Sequence, residues 1–364
     1  MTIKENEKSI GDLLVINKPK KILLVTGVYP PEVGGEATYA RLLKDGLPKV
    51  SRDKIRAIIL NSSRLPSWLA SLKGVWIFFR TLSLARYCGL VYALNLSDGR
   101  PAYLAAKLLG KPFWLKVTAN DVWPEPDQNK ITSIVLFLKR INRAIVPNEE
   151  FFRLLVGWGV EDKKITVLPN AYSAPSGLET REALRGKWGV SGRIVVAAGR
   201  LIPRKNFYRL IELWPAILEK FPDAKLLIAG EGPEQAKLEW LIKEKQVSES
   251  VMLAGPLPSE TLNIYLRLAD AGLSVGAYEA QSHFLLEAIA LGTPVIVSNV
   301  GDNVALIKKC PNGVVLESLE AKDLLAGLRR AFTLPAAATD SRPPDGSVVS
   351  MVSSLIRLLL KDAP

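Results

Sequence analysis

A single histidine and two cysteines among 364 residues remove whole classes of chemistry. A metal centre built on His and Cys needs three or four such ligands and is excluded by count. Cys88 and Cys310 are too few for a disulfide framework and read as small core residues in a reducing compartment. A Ser-His-Asp triad on His283 would call for a glycine-flanked nucleophile turn, and the sequence has none. There is no D-x-D pair to hold a divalent ion against a diphosphate. No apolar run of about 18 residues is free of charge, so no transmembrane helix is expected. The polar start, residues 1–8, lacks the apolar stretch of a signal peptide. These absences point to a cytoplasmic protein.

What is present is globular. Hydrophobic residues make up 48% and the mean hydropathy is +0.15. The length allows two domains with full cores. The net charge of +12 is unevenly placed. Residues 1–180 hold 26 Lys+Arg against 16 Asp+Glu, giving +10, and the remainder 22 against 20, giving +2. By charge alone the first half suits nucleic acid, an anionic membrane, or plain solvation. Residues 66–87 carry Trp68, Leu69, Leu72, Trp76, Phe79, Leu82 and Leu84 among Lys73, Arg80 and Arg86. That is the pattern of a basic amphipathic helix, one that lies in a membrane interface or packs on a core. Aromatic residues do not cluster with the basic loops, which argues against a nucleic-acid partner.

Short apolar runs alternate with helical spacing twice over. Residues 1–19 read as a leader. Strands are expected at 21–26, 55–60, 90–96, 113–117, 143–147 and 164–168, with helices at 36–47, 101–109 and 149–158. The stretch 171–185, rich in Ser, Pro, Gly and charge, reads as a linker. The pattern then restarts, with strands at 193–198, 224–229, 251–254, 271–275 and 295–298 and helices at 206–221, 234–245, 261–269 and 284–291. A low-complexity loop at 336–346 precedes a final amphipathic helix at 348–360. The class is α/β, with two doubly wound parallel sheets. One domain spans 20–175 and a second 186–335, and a terminal segment, 347–364, is available to pack back on the first.

The chemistry concentrates where strands end. Glu279 and Glu287 sit eight positions apart, where a polar loop runs into an apolar helix. At 3.6 residues per turn, eight positions return a side chain to nearly the same face. Both carboxylates are therefore expected to reach one ligand, with helix amides between them suited to a phosphate. Gly199-Arg200 and Arg204-Lys205-Asn206 put cations at the carboxyl end of a parallel sheet, matched to a diphosphate. Gly34-Gly35 and Gly230-Glu231-Gly232-Pro233 are turns that admit close backbone approach, though neither is the spaced dinucleotide fingerprint. Asp121 is placed to orient a proton or to cap a helix. His283 reads as a loop hydrogen-bonder.

Together, Gly34-Gly35, Val117-Thr118-Ala119-Asn120-Asp121-Val122-Trp123, Leu168-Pro169-Asn170, Gly199-Arg200 with Lys205, the 230–233 turn and the Glu279/Glu287 pair resemble glycosyltransferase family 4 over roughly residues 20–330. The resemblance implies the retaining, metal-independent chemistry of that family and its GT-B fold, two Rossmann-like domains facing a cleft. It implies a UDP- or GDP-sugar as donor on the C-terminal domain and a glycan or lipid-linked acceptor on the N-terminal one. Glu287 would hold the ribose, Glu279 would lie beside the sugar, and Arg200 and Lys205 would neutralise the departing diphosphate. Ser282, His283, Phe284, Gly230 and Gly232 would contribute to the donor-binding site, and Gly34-Gly35 would close on the diphosphate. Asp121 would act at the sugar. A basic first domain docked on the inner face of the cell membrane fits the family as well.

Two departures stand out. Thr118-Ala119 replace the family's usual His-Gly, which implies a donor sugar without the usual 6-hydroxyl contact. Ala280-Gln281-Ser282 replace Gly-Phe-Gly, leaving the Ser282 hydroxyl for a phosphate. The expected activity is sugar transfer with retention to a hydroxyl in cell-surface glycan or glycolipid synthesis. The alternatives are a GT-B nucleotide-sugar epimerase and a non-catalytic sugar-nucleotide binder.

Overall fold

The computed structural model describes residues 20–30, 32, 34–65, 67–122, 126–172, 179–301, 303–308, 310–334 and 347–361. The expected leader, Trp123, linker positions 173–178 and the 336–346 loop lie outside them, as do the side chains of Trp68 and Leu69. The chain divides into two compact units, one of residues 1–32, 36–171 and 345–364 and the other of 33–35 and 172–344.

The first unit contains β1 (Lys20–Thr26), α1 (Gly35–Val50), β2 (Ile55–Asn61), α2 (Lys73–Ala85), β3 (Leu90–Ala93), α3 (Leu96–Leu108), β4 (Phe113–Lys116), α4 (Ala119–Val122), α5 (Gln128–Leu138), β5 (Arg143–Val146), α6 (Glu149–Gly157) and β6 (Ile165–Val167). Its strands form one parallel sheet in the order β2-β1-β3-β4-β5-β6. Side-chain caps fix where helices start: Asn95, Asp127 and Asn148 accept from the amides of Asp98, Lys130 and Phe151. The α-helix expected at 66–87 is shorter, because Ser67–Leu72 winds as a 3-10 turn and only Lys73–Ala85 is α-helical.

The second unit contains α7 (Arg181–Trp188), β7 (Arg193–Ala198), α8 (Phe207–Lys220), β8 (Ala224–Ala229), α9 (Gln235–Glu244), β9 (Val251–Gly255), α10 (Ser259–Leu268), β10 (Ala271–Ser274), α11 (His283–Ala290), β11 (Val295–Ser298), α12 (Asn303–Ile307), β12 (Gly313–Leu316) and α13 (Ala321–Thr333). Its parallel sheet has the order β12-β11-β10-β7-β8-β9. Alternate residues of β7 serve two cores, as strand geometry requires. Val195 and Ala197 pack with Leu210, Trp214, Leu238 and Leu328, whereas Val196 packs with Leu266, Phe284, Leu285 and Ile289.

The last helix, α14 (Val348–Lys361), belongs to the first unit. Its Met351, Val352, Leu355 and Ile356 share a core with Tyr39, Leu43 and Leu47 of α1. Burial of each such side chain contributes roughly 1.5–3 kcal/mol. Among the described residues no helix is long and apolar enough to cross a membrane.

Candidate functional site

In the second sheet the chain lays down β7, β8 and β9 in one direction, then returns to place β10 on the other side of β7. At such a reversal the loops leaving two adjacent strands diverge, and a ligand crevice opens outside their carboxyl ends. The loop after β7 carries Arg200, Arg204 and Lys205, and the loop after β10 carries Glu279.

These loops meet. Lys205 Nζ donates to Glu279 Oε1 at 2.5 Å, with the two side chains only 16% and 6% exposed. Residues on either side of Lys205 make further bonds to the acidic loop. The Ala277 amide donates to the Arg204 carbonyl at 2.7 Å, Arg204 Nη1 donates to the Tyr278 carbonyl at 2.9 Å, and Asn206 Nδ2 donates to the Val275 carbonyl at 2.9 Å. Arg200 is exposed and has no recorded side-chain hydrogen bond or ion pair among the described residues.

The reason Glu279 lies here differs from the sequence expectation. The helix begins at His283, so residues 279–282 are not helical and an eight-residue helical period does not relate Glu279 to Glu287. Close packing against two glycines holds the acid instead. A Cβ on Gly276 would lie 2.8 Å from Glu279 Oε1, and one on Gly301 would lie 1.9 Å from the Glu279 carbonyl oxygen. Within α11, His283 and Glu287 are the partly exposed positions and lie one turn apart, while Phe284 is buried in the core. Ser282 is buried and caps α11 without a side-chain hydrogen bond to its amides. Gly230 and Gly232 press on the β7 loop: their Cβ atoms would meet the carbonyl oxygens of Gly199 at 1.9 Å and Leu201 at 2.4 Å.

Gly301 has φ +54° as well as this backbone contact. Gly301→Ala is therefore expected to cost ~2 kcal/mol or more, since left-handed strain adds to a contact that must be relieved. The urea midpoint measures it, and an unshifted midpoint would show that the loop yields freely.

The first sheet reverses between β1 and β3, and a polar network fills that end. Glu36 accepts from the Gly27 amide (2.6 Å), Thr26 Oγ1 (2.8 Å) and Asn95 Nδ2 (2.8 Å), while burial pushes its carboxyl above the usual range. Lys116, 6% exposed, donates to Asn170 Oδ1 at 2.8 Å and sits 3.5 Å from the Tyr39 ring centroid. Burial lowers its pKa to about 7. Asp121 acts as a cap: its carboxylate accepts from the Thr118 amide and hydroxyl at 2.7 and 2.8 Å and from the Leu96 amide at 3.3 Å. Burial still raises its pKa. Gly34 is exposed with φ +154°, and nothing lies within 4 Å of where its Cβ would be; Gly35 opens α1.

The fold is shared with solved structures. The Anabaena HepE protein, crystallised with UDP and glucose, superposes with a TM-score of 0.72 at 16% identity, covering 94% of this chain and 100% of that one. The family of glycosyl transferases group 1 matches residues 180–342, the part that carries the Lys205–Glu279 pair. An alpha-monoglucosyldiacylglycerol synthase of Acholeplasma laidlawii is 23% identical over 345 residues, 82% of this chain and 85% of that protein. Over residues 180–342 the chain is similar to the glycosyl transferases group 1, and its two parallel sheets share the GT-B fold of the solved structures. A further glycosyltransferase, from Methanocaldococcus jannaschii, is 37% identical over 141 residues, 39% of this chain and 36% of that protein.

The sequence alone does not mark Arg204 as a loop tether, Asn206 with its left-handed φ of 58°, or Gly276 and Gly301. The two glycines were detectable as residues just beyond strands β10 and β11. Lys116 carried no local signal at all.

Proposed function

We propose that the protein transfers a sugar, with retention at the anomeric carbon, from a nucleotide-diphosphate sugar to a lipid-borne hydroxyl. The observation that carries this reading is the meeting of Lys205 and Glu279 at the reversal point of the second sheet, with the exposed Arg200 on the same loop as Lys205. A UDP-sugar is the favoured donor, in keeping with the UDP and glucose held by the HepE structure. The name of the Acholeplasma relative supports a glycolipid product with an alpha linkage.

In this mechanism Arg200 and Lys205 take the diphosphate, joined by the first amides of α11. Glu279 faces the sugar hydroxyls and Glu287 the ribose. The anomeric carbon–oxygen bond breaks first, through an oxocarbenium-like transition state. Fixed cations stabilise the charge that develops on the leaving phosphate. The acceptor hydroxyl attacks on the face the phosphate has left and passes its proton to the departing phosphate oxygen. The two cations supply the electrostatic help that a metal would otherwise give. In the first unit, Asp121 serves by holding the start of α3.

The first unit also offers a surface for the membrane that bears such an acceptor. On the packed pair α2 and α3, Val75 is 54%, Phe79 61%, Leu104 56% and Leu108 70% exposed, and Arg80, Arg86 and Lys107 on the same helical segments are exposed too. Exposed apolar side chains and cations on the same two helices fit an anionic lipid surface.

One experiment tests the whole reading: turnover of UDP-glucose and GDP-sugars with diacylglycerol or its monoglucoside in vesicles, with the product anomer read by NMR. Alpha product, unchanged turnover with EDTA, and faster turnover on anionic than on zwitterionic vesicles are expected. Beta product, or epimerised nucleotide sugar formed without acceptor, would overturn it.

A further inference from the structure

Three consecutive residues, Arg204, Lys205 and Asn206, bond four residues of the acidic loop: Val275, Ala277, Tyr278 and Glu279. Lys205 alone reaches the carboxylate. Arg204 and Asn206 act on backbone carbonyls, one on each side of Gly276. The carbonyl of Gly276 is itself held by Ser298 Oγ at 2.7 Å. A Cβ at Gly276 would approach the Arg204 carbonyl oxygen to 3.1 Å, so the turn and the loop touch backbone to backbone. The turn is rigid in its own right. Pro203 opens it, and Asn206 closes it in the left-handed region at φ 58°.

We infer that Arg204 is a positioning residue, which through the Tyr278 carbonyl fixes where Glu279 meets the donor sugar rather than binding phosphate itself. The inference rests on the donor-site reading above. A guanidinium in a phosphate-binding turn is the natural candidate for a diphosphate ligand. Here, however, its Nη1 is committed to Tyr278 at 2.9 Å, and its own carbonyl accepts from Ala277. The consequence is a division of labour within one turn. Lys205 and Arg200 would set affinity for the nucleotide diphosphate, and Arg204 would set the extra affinity that the sugar brings. It would also set the reaction rate, because a displacement of about 1 Å in a substrate-facing group can cost ~10²-fold.

The test compares Arg204→Ala and Arg204→Lys with the parent protein, each checked by melting temperature. Lysine keeps an N–H donor with nearly the reach of the arginine for Tyr278. Without ligand, hydrogen exchange across residues 275–282 should accelerate in Arg204→Ala and stay nearer the parent rate in Arg204→Lys. With ligand, calorimetry should show UDP affinity unchanged in both variants. UDP-glucose should lose its advantage over UDP, and kcat should fall, chiefly in Arg204→Ala. Exchange in Arg204→Ala that matches the parent would overturn the tether. Loss of UDP affinity in Arg204→Ala as large as the loss of UDP-glucose affinity would make Arg204 a phosphate ligand and overturn it too. If the parent binds neither UDP nor UDP-glucose, the donor reading fails and the division of labour fails with it, whereas accelerated exchange would still demonstrate the tether.

Discussion

Replacing Lys205 by methionine is expected to lower kcat/KM by ~10²- to 10³-fold, the scale of removing one fixed group that stabilises a developing negative charge. The same change should also destabilise the protein, for a separate reason. Glu279 is 4% exposed, and its Oε1 accepts from Lys205 at 2.5 Å. Methionine fills the space of the lysine stem but leaves the carboxylate buried with its cation gone. Breaking a buried pair from one side costs ~3 kcal/mol or more, because the remaining charge is uncompensated. The double variant Lys205→Met/Glu279→Gln removes both charges and should regain most of the stability while recovering no activity. Arg200→Ala provides the contrast. Its side chain is exposed and makes no hydrogen bond or ion pair among the described residues, so turnover should fall ~10²-fold with little change in stability. Chemical denaturation and steady-state kinetics on the four proteins separate the two effects. Should the double variant regain turnover, the cation at 205 is not what stabilises the leaving group.

The architecture was legible because its signal is local and repeated. Buried parallel strands are short apolar runs, and β1, β7, β8 and β11 stand in the sequence as such runs beside turn residues. Elements with weaker contrast were missed. α7 starts at Arg181 inside a stretch that reads as linker, although Thr180 caps it and Gly189 closes it in the left-handed region. α5, β12 and α13 were not anticipated either; the Asp127 cap was the available clue for α5. In the candidate site the residue types were readable and their geometry was not. Lys205 and Glu279 are separated by 74 positions, and what joins their loops is the bonding of Arg204 and Asn206 to the 275–278 backbone with the close approach at Gly276, while Gly301 packs on Glu279 from a third loop. Helical periodicity supplied a plausible reason for Glu279 and Glu287 to act together, yet the loop enters its helix only at His283. The network around Lys116 is less legible still. Its partner Asn170 is 54 positions away, and each member taken alone reads as an ordinary strand-end polar residue.

That network leads to the largest expected effect of pH on stability. Lys116 is enclosed by the Tyr39 ring and Asn170, and its amine loses more from burial than it gains from the charge of Glu36. Its folded pKa of about 7 lies well below the ordinary value of 10.5. Below pH 7 both folded and unfolded chains hold the proton, and the full cost of a buried ammonium is present. Between pH 7 and 10.5 the unfolded chain holds a proton that the folded one has released, so stability rises with pH by about 1.4 kcal/mol per unit. Other groups act in the opposite sense. Burial raises the pKa values of Cys88, Cys310, Tyr39 and Tyr92, which makes stability fall as pH passes their ordinary values of 9 to 10. Glu36 also opposes, but just above the ordinary carboxylate range. Among the described residues with shifted groups, the window from pH 7 to 8.5 therefore belongs to Lys116, and a gain of ~2 kcal/mol is expected across it. Lys116→Met should flatten that rise, because methionine keeps most of the stem and has no proton to release. Urea unfolding of both proteins from pH 6.5 to 8.5 measures the difference. Parallel curves for the two would mean that the amine at 116 keeps its proton in the folded protein, with Glu36 and Asn170 outweighing burial.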